Sequence, residues 1–260
     1  MEVVILPPED LAMEAANVVE IQLRRNPSSV LGLATGSSPL AIYQELVRRH
    51  REEGLSFAQA RGFLLDEYVG LAPEHPQRYR NVIAEEFSDH LDWPAERIQA
   101  PDGLAQDVPG ACAQYERDIK AAGGVDIQLL GIGTDGHIGF NEPGSSLASR
   151  TRIKSLAAQT RKDNARFFDG DLEQVPRHCL TQGLGTISQA RHLLLVATGE
   201  QKATAVRHLV EGPVSARWPA TVMQWHRHAT VLIDEAAASE LELTEYYKQT
   251  YASKPAWQGL

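Results

Sequence analysis

The stretch SVLGLATGSSPLAIYQELVRR, residues 29–49, decides the fold class. Ser29–Ala34 is a short apolar run, typical of a strand that is covered on both faces. Thr35–Ser38 is a small polar turn, and we predict that Pro39 opens a helix through about Arg49, because proline is favoured in the first helical turn. The apolar residues of this helix fall largely on one side. A buried strand, a polar turn and an amphipathic helix in succession form the repeating unit of an α/β protein.

The same alternation continues in both directions along the chain. We predict further strands at residues 2–7 (EVVILP), Gly62–Asp66, residues 125–133 (VDIQLLGIG), His192–Gly199 and Ala229–Asp234, and further helices at Glu9–Arg25, Gly110–Ala122 and Lys202–Val210. We therefore expect an α/β fold: a doubly wound, mostly parallel sheet with helices on both faces, a modified Rossmann-like three-layer sandwich. No repeat, low-complexity tract or linker divides the sequence, so we expect a single domain over residues 1–260.

The composition narrows the choice of partners and compartment. Hydrophobic residues make up 43% and charged residues 23%, as in an ordinary globular protein, and the net charge of −9 argues against a nucleic-acid or membrane-surface partner. The N-terminal stretch lacks a basic region and a long apolar run, unlike a signal peptide, and no apolar stretch approaches the roughly 20 residues of a membrane span. Cys112 and Cys179 form no C-x-x-C pair, so we expect a reducing, cytoplasmic setting.

The stretch LLGIGTDGHIGFNEPG, residues 129–144, contains the G-x-G-x-x-G spacing of dinucleotide-binding loops. Such a loop should follow a strand, open a helix and be followed about 20 residues later by an acidic residue. Only the first condition is met. Gly139, Pro143 and Gly144 would break a helix, and the sequence RTRIKSLAA stands where the acidic residue should be. We therefore expect no nucleotide cofactor.

The same stretch concentrates titratable side chains. Asp135, His137 and Glu142 lie within eight residues, and in an extended segment Asp135 and His137 would point to the same side. A carboxylate beside an imidazole fixes its tautomer and raises its basicity, which suits a proton-transfer unit. Two carboxylates and one histidine also suit a metal ion. A third interpretation is a loop in which the aspartate caps a turn and the histidine is merely exposed.

A possible anion site follows the second predicted strand. Thr35, Gly36, Ser37 and Ser38 offer hydroxyl and backbone N–H groups at a helix N-terminus, an arrangement suited to phosphate. Simple capping of the helix by Ser38 is the alternative. Lys202, after a strand and a glycine, could supply a cation, and so could Arg166, although the Arg166 segment could equally be a solvated helix face.

A further acid follows the third predicted strand, in LLDEYVGL. Asp66 at the end of a buried strand would be partly desolvated, and burial raises the pKa of a carboxyl group toward the range of a base that can remove a proton from carbon. Glu67 would point the other way if the strand continues. A surface turn or a helix cap is the alternative for this pair.

Taken together, these segments resemble the glucosamine-6-phosphate deaminase (isomerase) family. The matching pieces are GLATGSSP, LLDEYVGL, GIGTDGHIGFNEPGSSLASRTRIK, TRKDNARFFD, QVPRHCLTQGLGT and GEQKA, in the family's order from about Leu31 to Glu211. Related sugar-phosphate lactonases share a Gly-Asp-Gly-His loop, but there it is not followed by FNEP. The FNEP tail therefore favours a deaminase.

The resemblance implies conversion of glucosamine 6-phosphate to fructose 6-phosphate and ammonia, without a cofactor or metal. By similarity, His137 moves a proton between the ring oxygen and the C1 hydroxyl, with Asp135 and Glu142 orienting it. Asp66 then takes the C2 proton and returns it at C1. The phosphate would lie on Thr35–Ser38, with Arg166 and Lys202 as cationic partners. Alternatives are a deaminase of the galacto epimer, a lactonase, and a sugar-phosphate sensor that has lost catalysis.

The resemblance also implies properties beyond the reaction. Some members are homo-oligomers, up to hexamers, activated by N-acetylglucosamine 6-phosphate at a subunit interface. The matching residues are Ser145, Arg152 and Lys154, whereas the allosteric tyrosine has no certain counterpart beside Tyr246 and Tyr247. The polar, Arg-rich segment Arg150–Val175 is where we expect any lid over the sugar.

Overall fold

Two β-sheets of different kinds organise the chain. The computed structural model describes residues 1–255 and 257–260. Its strands are β1 (Glu2–Ile5), β2 (Val30–Leu33), β3 (Arg61–Leu64), β4 (Asp66–Tyr68), β5 (Ile98–Gln99), β6 (Ile127–Leu130), β7 (Arg152–Ser155), β8 (His178–Thr181), β9 (His192–Ala197) and β10 (Ala229–Ile233). Seven of them form one parallel sheet in the order β1-β10-β9-β6-β2-β3-β5. The parallel sheet expected from the apolar runs is confirmed.

Helices cover both faces of this sheet. The α-helices are α1 (Pro8–Arg25), α2 (Ser37–Glu53), α3 (Tyr79–Glu86), α4 (Val108–Ala121), α5 (Ala158–Asn164), α6 (Leu184–Ile187), α7 (Ala203–Glu211) and α8 (Thr244–Ala252). One apolar core lies between the sheet and helices α1, α2 and α3, and a second lies between the sheet and α4, α6 and α7. Along β10, Leu232 faces the first core while Val231 and Ile233 face the second, because side chains alternate along a strand. The predicted three-layer sandwich is confirmed.

A second, three-stranded antiparallel sheet, in the order β4-β8-β7, was missed by the sequence analysis. The predicted strand Gly62–Asp66 is wrong at its end, since the chain leaves the large sheet at Leu65. Leu65 N–H donates to the Leu33 carbonyl (2.9 Å), while its own carbonyl accepts from Gln182 N–H (2.8 Å). Asp66 therefore begins a strand of the small sheet. Short strands without a buried apolar run, such as β7, carry a weak sequence signal.

The site crevice follows from the strand order. From β2 the chain proceeds outward through β3 to β5, and then returns to the other side of β2 to form β6. The strand order therefore reverses between β2 and β6. Open α/β sheets bind ligands in the crevice at such a switch point, between the loops that follow the two strands. A Cβ on Gly131, after β6, would lie 3.5 Å from Ser38 Oγ, after β2, so the two loops touch.

Among the described residues, no helix combines the length and apolar character required to cross a membrane.

Candidate active site

His137 packs closely against the backbone of its own loop. Gly133 N–H donates to the His137 carbonyl at 2.9 Å, which closes the loop. A Cβ at Gly133 would overlap the imidazole ring, so glycine is required here for close approach of the ring to the backbone. The imidazole of His137 therefore occupies the space beside this glycine.

The three titratable residues of this loop come together. His137 Nδ1 lies 2.7 Å from Asp135 Oδ1 and 3.9 Å from Glu142 Oε2. Asp135 and His137 meet across a turn, in which His137 N–H also donates to Asp135 Oδ1 (3.1 Å), so the expected extended segment is wrong. Burial alone would raise the pKa of Asp135, but the hydrogen bond and charge of His137 hold it well below its usual range. Asp135 is therefore the anionic partner that orients the ring.

This cluster also has a geometry that a metal ion could use. One ligand atom from each of Asp135, His137 and Glu142 can be chosen so that all lie within 4.8 Å of one another. The geometry therefore leaves both chemical interpretations of the cluster open, and a chelator distinguishes them.

Asp66 approaches the same loop from the small sheet. A Cβ on Gly139 would lie 3.4 Å from Asp66 Oδ2 and 2.9 Å from Thr181 Oγ1. Gly139 has φ of +56°, so both its conformation and its neighbours favour glycine. Asp66 is 6% exposed, and burial, aided by the charge of Glu67, raises its pKa to about 8. Asp66 thus lies next to the loop of His137, and its raised pKa is in the range suited to a base that removes a proton from carbon.

Glu67 points away from this crevice, as the alternation predicted. Its carboxylate accepts N–H bonds from Tyr79 (2.9 Å) and Arg80 (3.0 Å) at the start of α3, and from Tyr68 (2.9 Å). Glu67 is therefore a structural cap for α3, and it acts on Asp66 only through its charge.

The raised pKa of Asp66 leads to a stability prediction. The folded state keeps the Asp66 proton up to about pH 8, whereas the unfolded chain loses it near the ordinary value of 3.8. The stability that this group contributes is therefore complete below about pH 4 and is lost as the pH rises toward 8. Asn cannot ionise, so Asp66→Asn should be more stable than the parent protein at pH 8, by on the order of a few kcal/mol. Thermal unfolding at pH 5 and pH 8 measures the difference. Asp89→Asn, on the exposed surface, should show no such change, and equal curves for Asp66→Asn and the parent would contradict the raised pKa.

The turn after β2 differs from the prediction in one respect. Helix α2 begins at Ser37 rather than Pro39, and Gly36, with φ of +102°, is the N-cap. No side-chain hydrogen bond caps this helix in the described structure. Ser38 lies inside the first turn, so the alternative that it merely caps the helix is wrong. The first-turn N–H groups face the crevice side of the sheet, where an anion would be favoured.

Lys202 contacts the loop that carries Asp135, His137 and Glu142. Its Nζ donates to the Ile132 carbonyl at 2.7 Å. Burial lowers the pKa of Lys202, the charges of Asp163 and Asp135 oppose this, and the positive charge of Arg166 adds to it. Arg166 is exposed and lies 4.7 Å from the centre of the Phe167 ring. The charges of Lys202, Arg166 and Asp135 are therefore close enough to affect one another.

Two of the candidate allosteric residues, Ser145 and Arg152, contact the FNEP element. Arg152 and Lys154 are two residues apart on β7 and therefore lie on the same face of the strand. Arg152 Nη1 donates to Asn141 Oδ1 at 2.7 Å. Ser145 is buried, and within the described chain its hydroxyl has no hydrogen-bond partner. Tyr246 and Tyr247 lie elsewhere, on α8, which packs against the edge strand β1.

The segment 216–220 braces the loop of residues 136–144 through backbone hydrogen bonds, a contact that the sequence did not indicate. Ala220 N–H donates to the Gly136 carbonyl (2.8 Å), and Gly144 N–H donates to the Ala216 carbonyl (2.8 Å). Trp218, between them, packs so closely that a Cβ on Gly136 would lie 2.7 Å from its ring. The brace joins residues some 80 positions apart through backbone groups, which carry no sequence signal.

The fold and site define a class of α/β protein in which a cluster of titratable side chains lies beside a helix N-terminus at the switch point of a parallel sheet. Residues 8–232 match the family model described as glucosamine-6-phosphate isomerases/6-phosphogluconolactonase. The chain belongs to the glucosamine-6-phosphate deaminase family within this class. It is 64% identical to a glucosamine-6-phosphate deaminase of Mycolicibacterium smegmatis and 62% identical to one of Beutenbergia cavernae, each over 100% of both chains.

Solved structures agree with this placement. A monomeric glucosamine-6-phosphate deaminase is 42% identical, with a TM-score of 0.89 over 92% of this chain and 99% of that chain. The 6-phosphogluconolactonase from Trypanosoma cruzi is 20% identical, with a TM-score of 0.72 over 93% of this chain and 97% of that chain. The second likeness concerns the fold alone.

Proposed function

We propose that this chain converts glucosamine 6-phosphate and water to fructose 6-phosphate and ammonia, in the catabolism of amino sugars. The observation that carries the proposal is the convergence of Asp66 with the Asp135–His137–Glu142 cluster beside the uncapped start of α2. Proton-transfer groups next to an anion site match the needs of a sugar phosphate that isomerises. The high identity to named deaminases supports this substrate over other sugar phosphates.

The reaction begins with opening of the sugar ring. His137 takes the proton of the C1 hydroxyl and delivers it to the ring oxygen, so the C1–O5 bond breaks and an aldehyde forms. Asp135 Oδ1 is hydrogen-bonded to His137 Nδ1 at 2.7 Å. Nε2 of His137 is therefore the ring nitrogen that exchanges protons with the sugar. Glu142 adds negative charge that stabilises the imidazolium while it holds the proton.

Isomerisation and loss of ammonia follow. Asp66 removes the C2 proton to give an enolamine and returns a proton to C1, which converts the aldose amine to a ketose imine. Water adds to the imine carbon, the C–N bond breaks, and ammonia leaves with fructose 6-phosphate. A base with a pKa of about 8 is well matched to this step, because general-base catalysis is most efficient when the pKa lies near the working pH.

A direct assay tests the proposed function. Purified protein is incubated with glucosamine 6-phosphate in EDTA, and ammonia and fructose 6-phosphate are measured in parallel. We expect the two products in equal amounts. The rate of their formation should be the same with and without EDTA. Absence of product would refute the function, and activity that EDTA abolishes and a divalent metal restores would refute the metal-free relay. Ammonia release from galactosamine 6-phosphate tests the epimer alternative. Acid release on hydrolysis of 6-phosphogluconolactone tests the lactonase alternative.

Lys202→Gln should weaken substrate binding more than catalysis. We propose that Lys202, Arg166 and Thr35–Ser38 hold the phosphate, and a charge-assisted hydrogen bond of this kind supports roughly tenfold or more in affinity. We expect KM to rise about tenfold or more while kcat changes little, the signature of lost uniform binding. Lys120→Gln, at an exposed position on α4, is the matched control. A lower kcat with unchanged KM would contradict a phosphate-binding role.

We further propose that N-acetylglucosamine 6-phosphate activates the protein through Ser145, Arg152 and Lys154. The unpartnered Ser145 hydroxyl and the shared face of Arg152 and Lys154 support a polar ligand there. Velocity curves with and without this sugar are the test. Curves that stay hyperbolic and unchanged by it would end the proposal.

Assembly and location complete the proposal. We propose a homo-oligomer, a hexamer or smaller, although a solved relative is monomeric, so light scattering on the purified protein decides. We place the enzyme in the cytoplasm, and two buried free cysteines suit a reducing compartment. Cell fractionation tests the location. The whole of residues 1–260 is proposed to act as one domain.

A further inference from the structure

We propose that Thr160 is a positioning residue that selects which oxygen of Glu142 faces His137. This inference rests on the proposed deaminase function and gives a role to Thr160, the first residue of the TRKDNARFFD piece. Thr160 lies on the short helix α5, and Glu142 lies 18 residues earlier in the catalytic loop.

The contact is direct and sheltered from water. Thr160 Oγ1 donates to Glu142 Oε1 at 2.6 Å, and both residues are 7% exposed. The other oxygen, Glu142 Oε2, is buried, has no hydrogen-bond partner among the described residues, and lies 3.9 Å from His137 Nδ1. The hydroxyl therefore occupies one oxygen and leaves the second directed at the imidazole.

Loss of the Thr160 hydroxyl would destabilise the negative charge of Glu142. A buried carboxylate needs hydrogen-bond donors, and without Thr160 neither oxygen of Glu142 would keep a donor among the residues that the structure describes. The charged and titratable groups around Glu142 are His137 and Asp135 from its own loop and Cys179 from β8, whose thiol pKa is raised mainly by burial and also by Asp66 and Glu142. A Glu142 carboxylate that has lost its Thr160 donor would turn away from the imidazole toward other donors.

Helix α5 is held in place by contacts on both sides of the crevice. Asn164 Nδ2, four residues after Thr160, donates to the Tyr68 hydroxyl at 2.8 Å, and Tyr68 shares strand β4 with Asp66. Ala165 and Phe168, just beyond α5, pack in an apolar cluster with Tyr68. The helix thus links the strand of the carbon base to the carboxylate that faces His137.

The test compares three variants of equal or smaller size. Thr160→Val removes the hydroxyl at nearly constant volume, and Thr160→Ser keeps it. Thr186→Val is the matched control, because Thr186 Oγ1 donates to Glu116 Oε1, also at 2.6 Å, away from the catalytic loop. We expect Thr160→Val to lower kcat about tenfold or more with KM within about twofold of the parent. Thr160→Ser and Thr186→Val should keep most of the parent kcat.

A double-mutant cycle identifies the route of the effect. If Thr160 acts through Glu142, Thr160→Val should cause little further loss of kcat in a Glu142→Gln background. Equal losses in both backgrounds, or an equal loss in Thr186→Val, would overturn the proposal, as would full activity of Thr160→Val. Thr160→Ala replaces the valine variant if that variant does not fold. Absence of deamination by the parent protein would instead refute the proposed function, so the two failures are distinct.

Discussion

Asp66→Asn is expected to lower kcat for deamination of glucosamine 6-phosphate by at least about 10²-fold, the low end for loss of a general base. Asparagine keeps the shape and burial of the side chain but cannot accept the C2 proton. KM should change little, since Asp66 is assigned no contact with the phosphate. Initial rates of ammonia release measure the loss.

The pH profile separates a base from a structural residue. Only ionised Asp66 can remove a proton, and burial raises its pKa to about 8. In the parent protein kcat/KM should therefore rise with pH up to about 8, because this parameter reports groups of the free enzyme. The residual activity of Asp66→Asn should lack that rise. Exchange of the C2 hydrogen with deuterated solvent should fall in parallel with kcat.

The controls make the result specific. Asp89→Asn changes an exposed aspartate outside the crevice and should keep full activity. The stability prediction above requires Asp66→Asn to be at least as stable as the parent protein at pH 8, so inactivity cannot be attributed to unfolding. Near-normal turnover by Asp66→Asn would remove Asp66 from the role of carbon base.

His137→Gln is expected to reduce turnover by roughly 10²–10⁴-fold, the usual range for a general acid–base residue. Glutamine can still hydrogen-bond to Asp135, but it cannot carry a proton between two sugar oxygens. The ring-opening step should therefore fail while the geometry of the loop is largely kept. Steady-state kinetics with glucosamine 6-phosphate give the size of the loss.

A modified substrate tests the assignment to ring opening. A 5-deoxy analogue with a blocked C4 hydroxyl can close neither the six-membered nor the five-membered ring, so it bypasses this step. The ratio of parent to variant rates should be at least about tenfold smaller with the analogue than with the natural sugar. An equal ratio would assign His137 to a later step. His90→Gln, at an exposed position, serves as the control.

The sequence predicted the large sheet because its signal is local. Strands that are covered on both faces must be apolar along their whole length, so β2, β6, β9 and β10 are visible as continuous runs. The ends of elements were less well predicted. Helix α2 begins two residues before Pro39, because the positive φ of Gly36 already turns the chain into the helix.

The chemical groups were also visible in the sequence, in part through the family resemblance. Asp135, His137 and Glu142 lie within one short loop, so their meeting depends on few long-range contacts. Spacing alone left three interpretations open: a proton relay, a metal site, and a loop in which the aspartate caps a turn and the histidine is exposed. The observed geometry permits the relay and the metal site, and the EDTA experiment decides between them.

What the sequence by itself determined is therefore the alternation of strands and helices, the loops that carry titratable groups, and the family. Only the tertiary structure decided that Asp66 starts a second sheet, that burial brings its pKa to about 8, and that Thr160 holds Glu142. The physical reason is that desolvation and hydrogen-bond partnership depend on the neighbours of a residue in space. For Asp66 those include Gly139 and Thr181, 73 and 115 residues away in the chain.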